Sequence, residues 1–256
     1  MEFINLVLIG PILEMFEYPA FFLEVVFGGL MSGVMYSLVA LGFVLIFKAS
    51  GVFNFAQGVF ALFAALTLVG LMTGTMPFSL DKVLPELPAW LAIIATFIVM
   101  VGLAIAVERI VLRPLVNQDH IIMFMSTIGL AFVLEGLGDT IWGSEVKALD
   151  VGIPSGNFMI GEIQIQIFDL WAAGIAAFLV IVLAVFFQST RTGRALRAVA
   201  DDHQAALSVG IPLKNIWIIV WSVAGLVALV AGIMWGSKSG VQFSLSLIAL
   251  KALPVL

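Results

Sequence analysis

Glu135 and Asp139 are the side chains whose type and spacing best suit moving a proton. They stand four residues apart in an apolar run, so a helix projects both carboxylates from one face. Ionisable groups at membrane depth are functional candidates and can form a relay. The same pair also suits an interfacial or inter-helix polar contact, because Asp139 lies within a turn of Trp142. Asn54 and Gln57 form a second set, bracketed by Gly51 and Gly58 where an apolar run is interrupted. Their amides can cap helix ends, or line a cavity of the kind that unwound backbone requires at membrane depth. Tyr36 and Ser37 are the other visible polar candidates for lining a pathway.

A third set lies in TRTGRALRAVADDHQAALSVGIPLKN, where Arg194, Arg197, Asp201 and Asp202 accompany the small residues Ala205 and Ala206. The pattern predicts a short helix from about Gly193 to Val209, ended by Gly210 and Pro212. A helix displayed between two spans suits docking onto another subunit, and an ordinary interfacial connector is the plainer reading.

Several chemistries have no residues to carry them. There is no GxxxxGK[ST] loop for ATP and no GxSxG or HExxH motif. The chain has no cysteine, and its two histidines, His120 and His203, are too separated to suggest a metal site. No basic patch for nucleic acid appears, and the net charge of -5 is spread over short connections.

The elements that position these residues are membrane spans. With 62% hydrophobic and 11% charged residues and a mean hydropathy of +1.20, the chain reads as an all-α polytopic membrane protein. Spans are expected at about 21–47, 58–76, 89–112, 121–142, 170–188 and 216–235, in a single transmembrane domain covering 1–256, with a broken helix near 50–58. Phe3 to Leu13 is too short to span and is interrupted by Pro11, which suggests a helix lying along the interface. Gly29 and Gly33 form a GxxxG pair continued by Ser37 and Ala40, suited to close packing within the subunit or to lining a pathway.

Arg109, Arg113, Arg191, Arg194, Arg197, Lys214 and Lys48 fall on one side when the spans alternate, which makes that side cytoplasmic and the N-terminus extracytoplasmic. On the outer side, Glu162 to Ile167 alternates polar and apolar residues after the turn sequence Pro154-Ser155-Gly156-Asn157, predicting a small β-hairpin. The apolar segment 244–256 is too short to span, so the chain is expected to be truncated at its C-terminus.

Two of these segments resemble the permease subunits of branched-chain amino acid ABC importers, a group that extends to urea and simple-sugar permeases. The first carries Gly29, Gly33, Tyr36, Leu38, Ala40, Gly42, Gly51, Asn54, Phe55, Ala56 and Gly58 in places that match the family's glycine-rich first span and Asn-Phe-Ala element. The second, GRALRAVADDHQAALSVGI, looks like the family's coupling segment, with Ala205, Ala206 and Gly210 in place and Gln204 where a Glu gives the related loop its name. The resemblance implies a bacterial inner-membrane subunit that forms a translocation pathway and binds no cofactor itself. ATP would be hydrolysed on two cytosolic partner subunits, with a second homologous permease, an extracytoplasmic solute-binding protein and membrane lipid as the other partners. An ABC permease for urea or short amides, and an ion-coupled carrier using Glu135 and Asp139, are the alternative readings.

Overall fold

The computed structural model of the chain describes residues 10–75, 85–115, 118–201, 206, 208 and 210–252. Helix α1 (Gly10–Glu17) leads into α2 (Pro19–Ser50). Pro19 suits the first helical position because the N–H it lacks would have had no partner there. Gly51, at φ 68°, ends α2 in the left-handed conformation, returning its N–H to the Phe47 carbonyl at 2.8 Å. After a break at 51–56, α3 (Gln57–Thr73) closes the same way on Gly74 at φ 69°.

Helix α4 (Ala89–Val107) widens into a π-helical turn at Glu108–Leu112 and then a 3-10 turn at Arg113–Leu115. Pro114 explains the widening, since it cannot donate to the turn before it and its ring crowds the Ile110 carbonyl. Within the turn the Arg113 guanidinium grips the buried Glu108 carboxylate through two bonds, Nε to Oε1 at 3.1 Å and Nη2 to Oε2 at 2.6 Å. Helix α5 (His120–Trp142) precedes a two-stranded sheet, and α6 (Ile167–Ser189), α7 (Arg191–Asp201) and α8 (Leu213–Ser239) follow it. A 3-10 turn at Phe243–Leu247 and the short α9 (Ile248–Ala252) complete the described chain.

The sheet is the expected hairpin. Strands β1 (Asn157–Ile160) and β2 (Ile163–Gln166) pair antiparallel from Ile160 opposite Ile163 to Asn157 opposite Gln166. Gly161, at φ 65°, supplies the left-handed residue of the two-residue turn.

Among the described residues, five helices are long and apolar enough to cross a membrane: Pro19–Ser50, Ala89–Leu115, His120–Trp142, Ile167–Ser189 and Asn215–Ser239. The expected span 58–76 is instead a 17-residue helix, about 25 Å long against roughly 30 Å of hydrocarbon. Gly74 stops it early, and Met76 lies outside the described residues. The expected interfacial helix 3–13 also falls largely outside them, and helix is described from Gly10. Segment 244–256 turns through the 3-10 element and α9, with 253–256 outside the described residues.

Helix α8 is the centre of the bundle, packed on α2, α3 and α4. Trp221, Ala224, Val227 and Ala231 are buried along it, and Phe60 of α3 meets Trp221 edge-on with ring centroids 5.8 Å apart. Gly232 sets how close α8 and α3 come, because a Cβ there would stand 2.4 Å from the Ala61 carbonyl oxygen. The outer faces of α4, α5 and α6 expose Ile98, Phe132 and Phe178, the apolar surface that hydrocarbon covers. Among the described residues, no atom lies within 4 Å of a Cβ built at Gly29 or Gly33.

Candidate functional site

The break between α2 and α3 is the most elaborately held backbone in the molecule. The six non-helical residues 51–56 leave N–H and C=O groups in an apolar interior that must be satisfied within the protein. Asn54 begins the repair: its Oδ1 accepts the Ala56 N–H at 3.1 Å, and its Nδ2 donates to Gln57 Oε1 at 3.4 Å. Gln57 Nε2 then donates to the Ala224 carbonyl of α8 at 3.2 Å. Both amide side chains are fully buried, so in this conformation they hold the break and touch no open pathway.

Thr127, which carries no signal in the sequence, completes the assembly together with glycines and aromatic residues around the break. Thr127 of α5 accepts the Phe55 N–H on its hydroxyl at 3.1 Å, and the same hydroxyl lies 3.2 Å from the Phe53 carbonyl and 2.8 Å from the Phe124 carbonyl. Gly42 makes room for the Gln57 amide, since a Cβ there would fall 2.0 Å from Nε2. Gly58 lies beneath the 3-10 turn, where a Cβ would meet the Ser246 carbonyl oxygen at 2.1 Å. Phe43 stacks on Phe53 with centroids 4.7 Å apart, and Phe55 meets Phe124 edge-on at 5.6 Å.

Tyr36 and Ser37 are not part of this assembly. Tyr36 packs its ring on Trp235 with centroids 4.8 Å apart, and Ser37 Oγ donates to the Val34 carbonyl at 2.6 Å. Trp235 and Ala224 are separated by about 16 Å along α8, so the four polar candidates occupy two stations on the central helix.

Glu135 and Asp139 share a helix face but not an environment. Glu135 is half-buried and accepts a hydrogen bond from Ser246 Oγ at 3.2 Å, which ties α5 to the 3-10 turn. Asp139 is exposed. An ion pair lies elsewhere: the exposed Lys238 donates through Nζ to Oδ1 of the buried Asp169 at 2.7 Å. It joins the last turn of α8 to the first turn of α6, each charge at the helix end that favours its sign.

The connector helix α7 is amphipathic, burying Gly193, Leu196 and Val199 while Arg194, Arg197 and Asp201 stay exposed. Thr190 caps it, accepting the Gly193 N–H on Oγ1 at 3.0 Å. Both arginines reach back to the last carbonyls of α6, Arg194 to Ser189 at 3.2 Å and Arg197 to Phe187. Gly193 permits the sharp return, because a Cβ would stand 2.1 Å from the Phe187 carbonyl oxygen. Asp202 and Ala205 lie outside the described residues. Ala206 is buried, and its carbonyl accepts the Ile211 N–H at 3.0 Å across Gly210, which turns at φ 84°.

A profile of the family described as branched-chain amino acid transport system / permease component matches residues 25–252, a stretch that contains the break, the Glu135 contact and α7. The chain belongs to this permease family. The high-affinity branched-chain amino acid transport system permease protein BraD of Pseudomonas aeruginosa is 30% identical over 237 residues, 86% of this chain and 72% of that protein. The corresponding LivH permease of Escherichia coli K12 is 29% identical over 250 residues, 89% of this chain and 74% of LivH. A probable LivH of Methanocaldococcus jannaschii is 28% identical over 213 residues, 80% of this chain and 63% of that protein. No solved structure matches. With five span-length helices, this member of the permease family is a multi-pass membrane protein.

Proposed function

We propose that the chain is a permease subunit of an ATP-driven ABC importer for branched-chain or similar apolar amino acids. The observation that carries this reading is the family match across residues 25–252. It is supported by the relatives named for branched-chain amino acid transport. In this reading α7 is the lever: its buried stripe docks beneath α2 and α6, and its exposed arginines and Asp201 face a cytosolic ATPase. ATP binding and hydrolysis on two such subunits would shift the permease between outward and inward states, without bond chemistry on this chain. A second, homologous permease would complete the pathway, and an extracytoplasmic binding protein would deliver the solute. Placing α7 in the cytosol sets the N-terminus and the hairpin on the outer side, in agreement with the arginines at the other ends of the spans.

The ion-coupled alternative has less to stand on, because Glu135 is engaged by Ser246 and Asp139 is exposed. The experiment that tests the importer reading is replacement of Gly210 by Val, which strains a backbone at φ 84°. In vesicles containing the full set of subunits, ATP-driven leucine uptake should fall at least tenfold with the protein still folded. Unchanged uptake would remove α7 and its turn from the coupling path.

A further inference from the structure

Helix α2 presents one face whose two ends differ. Stepping alternately by four and three residues from Glu24 gives Gly28, Met31, Met35, Leu38 and Gly42. At 3.6 residues per turn Glu24 and Gly42 share an azimuth, about 27 Å apart along the axis. The Gly42 end is closed. Met35 and Leu38 are fully buried, Trp235 Nε1 donates to the Met35 carbonyl at 3.4 Å, and Gly42 faces the Gln57 amide.

The Glu24 end is open. Glu24, Gly28 and Met31 line a cavity of about 260 Å³ whose other walls are β2 and the start of α6. Across from α2 stand the amides Asn157, Gln164 and Gln166 and the carboxylate of Asp169. Asp169 is neutralised by Lys238 at 2.7 Å. Glu24 is half-buried and makes no hydrogen bond or ion pair among the described residues. A carboxylate partly withdrawn from water on an apolar helix is costly until a cation reaches it.

The remaining walls complete a pattern. Phe21, Val25 and Met31 offer apolar surface, the amides offer N–H donors, and no atom of the described residues lies within 4 Å of a Cβ built at Gly28. A zwitterion with a compact apolar side chain satisfies all of these groups together. We propose that this cavity is an outer receiving site for an apolar α-amino acid. Glu24 takes its ammonium, the amides of the hairpin take its carboxylate, and Phe21, Val25 and Met31 face its side chain. The site rests on the importer reading and on the outward placement of the hairpin, and it lies apart from the polar break near Gln57.

The chain has no cysteine, so Gly28→Cys places a single thiol in the cavity wall without a clash. The assembled complex in proteoliposomes is treated with a membrane-impermeant thiol reagent, and modification of this chain is measured after the subunits are separated. Leucine at about ten times its dissociation constant should slow labelling roughly tenfold. Adding Glu24→Gln should abolish that protection, and Glu24→Asp should restore part of it. Isoamylamine, which keeps the ammonium and the side chain, should protect better than 4-methylpentanoate, which keeps the carboxylate. If Gly28→Cys prevents assembly, Val25→Cys serves in the same wall. Labelling indifferent to leucine, in a complex that takes up leucine, overturns the site and leaves the importer reading intact. A complex without substitutions that takes up no leucine overturns the substrate reading and the site with it.

Discussion

Replacing Thr127 by Val keeps the side chain's shape while removing the hydroxyl that binds α5 to the break. That hydroxyl accepts the Phe55 N–H at 3.1 Å and has one proton to give, with the carbonyls of Phe53 at 3.2 Å and Phe124 at 2.8 Å in reach. The Phe124 carbonyl is in the helical ladder, but the Phe55 N–H has no other partner among the described residues. Losing a net hydrogen bond costs about 1 kcal/mol, and leaving a part-buried donor unpaired adds about 1 kcal/mol or more. The sum, about 2 kcal/mol, corresponds to roughly a thirtyfold larger population of the opened break. Native-state hydrogen exchange in nanodiscs reads this directly, because local opening is reported amide by amide. Amides of residues 51–57 should exchange roughly thirtyfold faster in Thr127→Val, with α4 and α6 unchanged, while Thr127→Ser should match the unsubstituted protein. Protection at 51–57 that survives Thr127→Val would refute the claim that this hydroxyl holds the break.

Gly58→Ala places a methyl 2.1 Å from the Ser246 carbonyl oxygen and 2.7 Å from Ala249 Cβ. The 3-10 turn must move, at a cost of about 2 kcal/mol, and thermal unfolding in detergent should show a lower midpoint. Asp169→Asn should destabilise the outer end of the bundle by about 2 kcal/mol, below the fully buried range because the Lys238 side chain is 29% exposed. The double variant Asp169→Asn with Lys238→Met should recover more than half of that loss in the same measurement. Gly193→Ala brings a methyl to 2.1 Å from the Phe187 carbonyl oxygen, so α7 should lift from α6. The assembled transporter should then hydrolyse ATP with little uptake, a split visible when both rates are measured on one preparation.

The parts legible in the sequence were those set by local pattern. Continuous apolar runs gave helices in the expected places, the alternation at 162–167 gave β2, and Gly51 with Asn54 marked the break because left-handed caps and Asx turns are written in a few neighbouring residues. The early end of α3 at Gly74 differs from the expected end at 76 by two residues, because Gly74 adopts the left-handed cap before Met76 is reached. Partners were hidden for a different reason. Thr127 is one hydroxyl in an apolar helix, and nothing local says that it serves a backbone more than 70 positions away. The Gly42 contact with Gln57, the Ser246 bond to Glu135 and the Lys238 pair with Asp169 likewise exist only once α8 and the 3-10 turn have docked. The GxxxG pair shows the converse: the motif at Gly29 and Gly33 is plain in the sequence, yet no atom of the described residues stands within 4 Å of a Cβ built at either.

Uptake of labelled leucine into proteoliposomes holding the chain with its partner subunits and binding protein, driven by either ATP or an imposed proton gradient, tests the central claim most directly. Uptake that requires ATP and ignores the gradient is the result predicted here. Uptake that follows the gradient with no ATPase subunit present would contradict it.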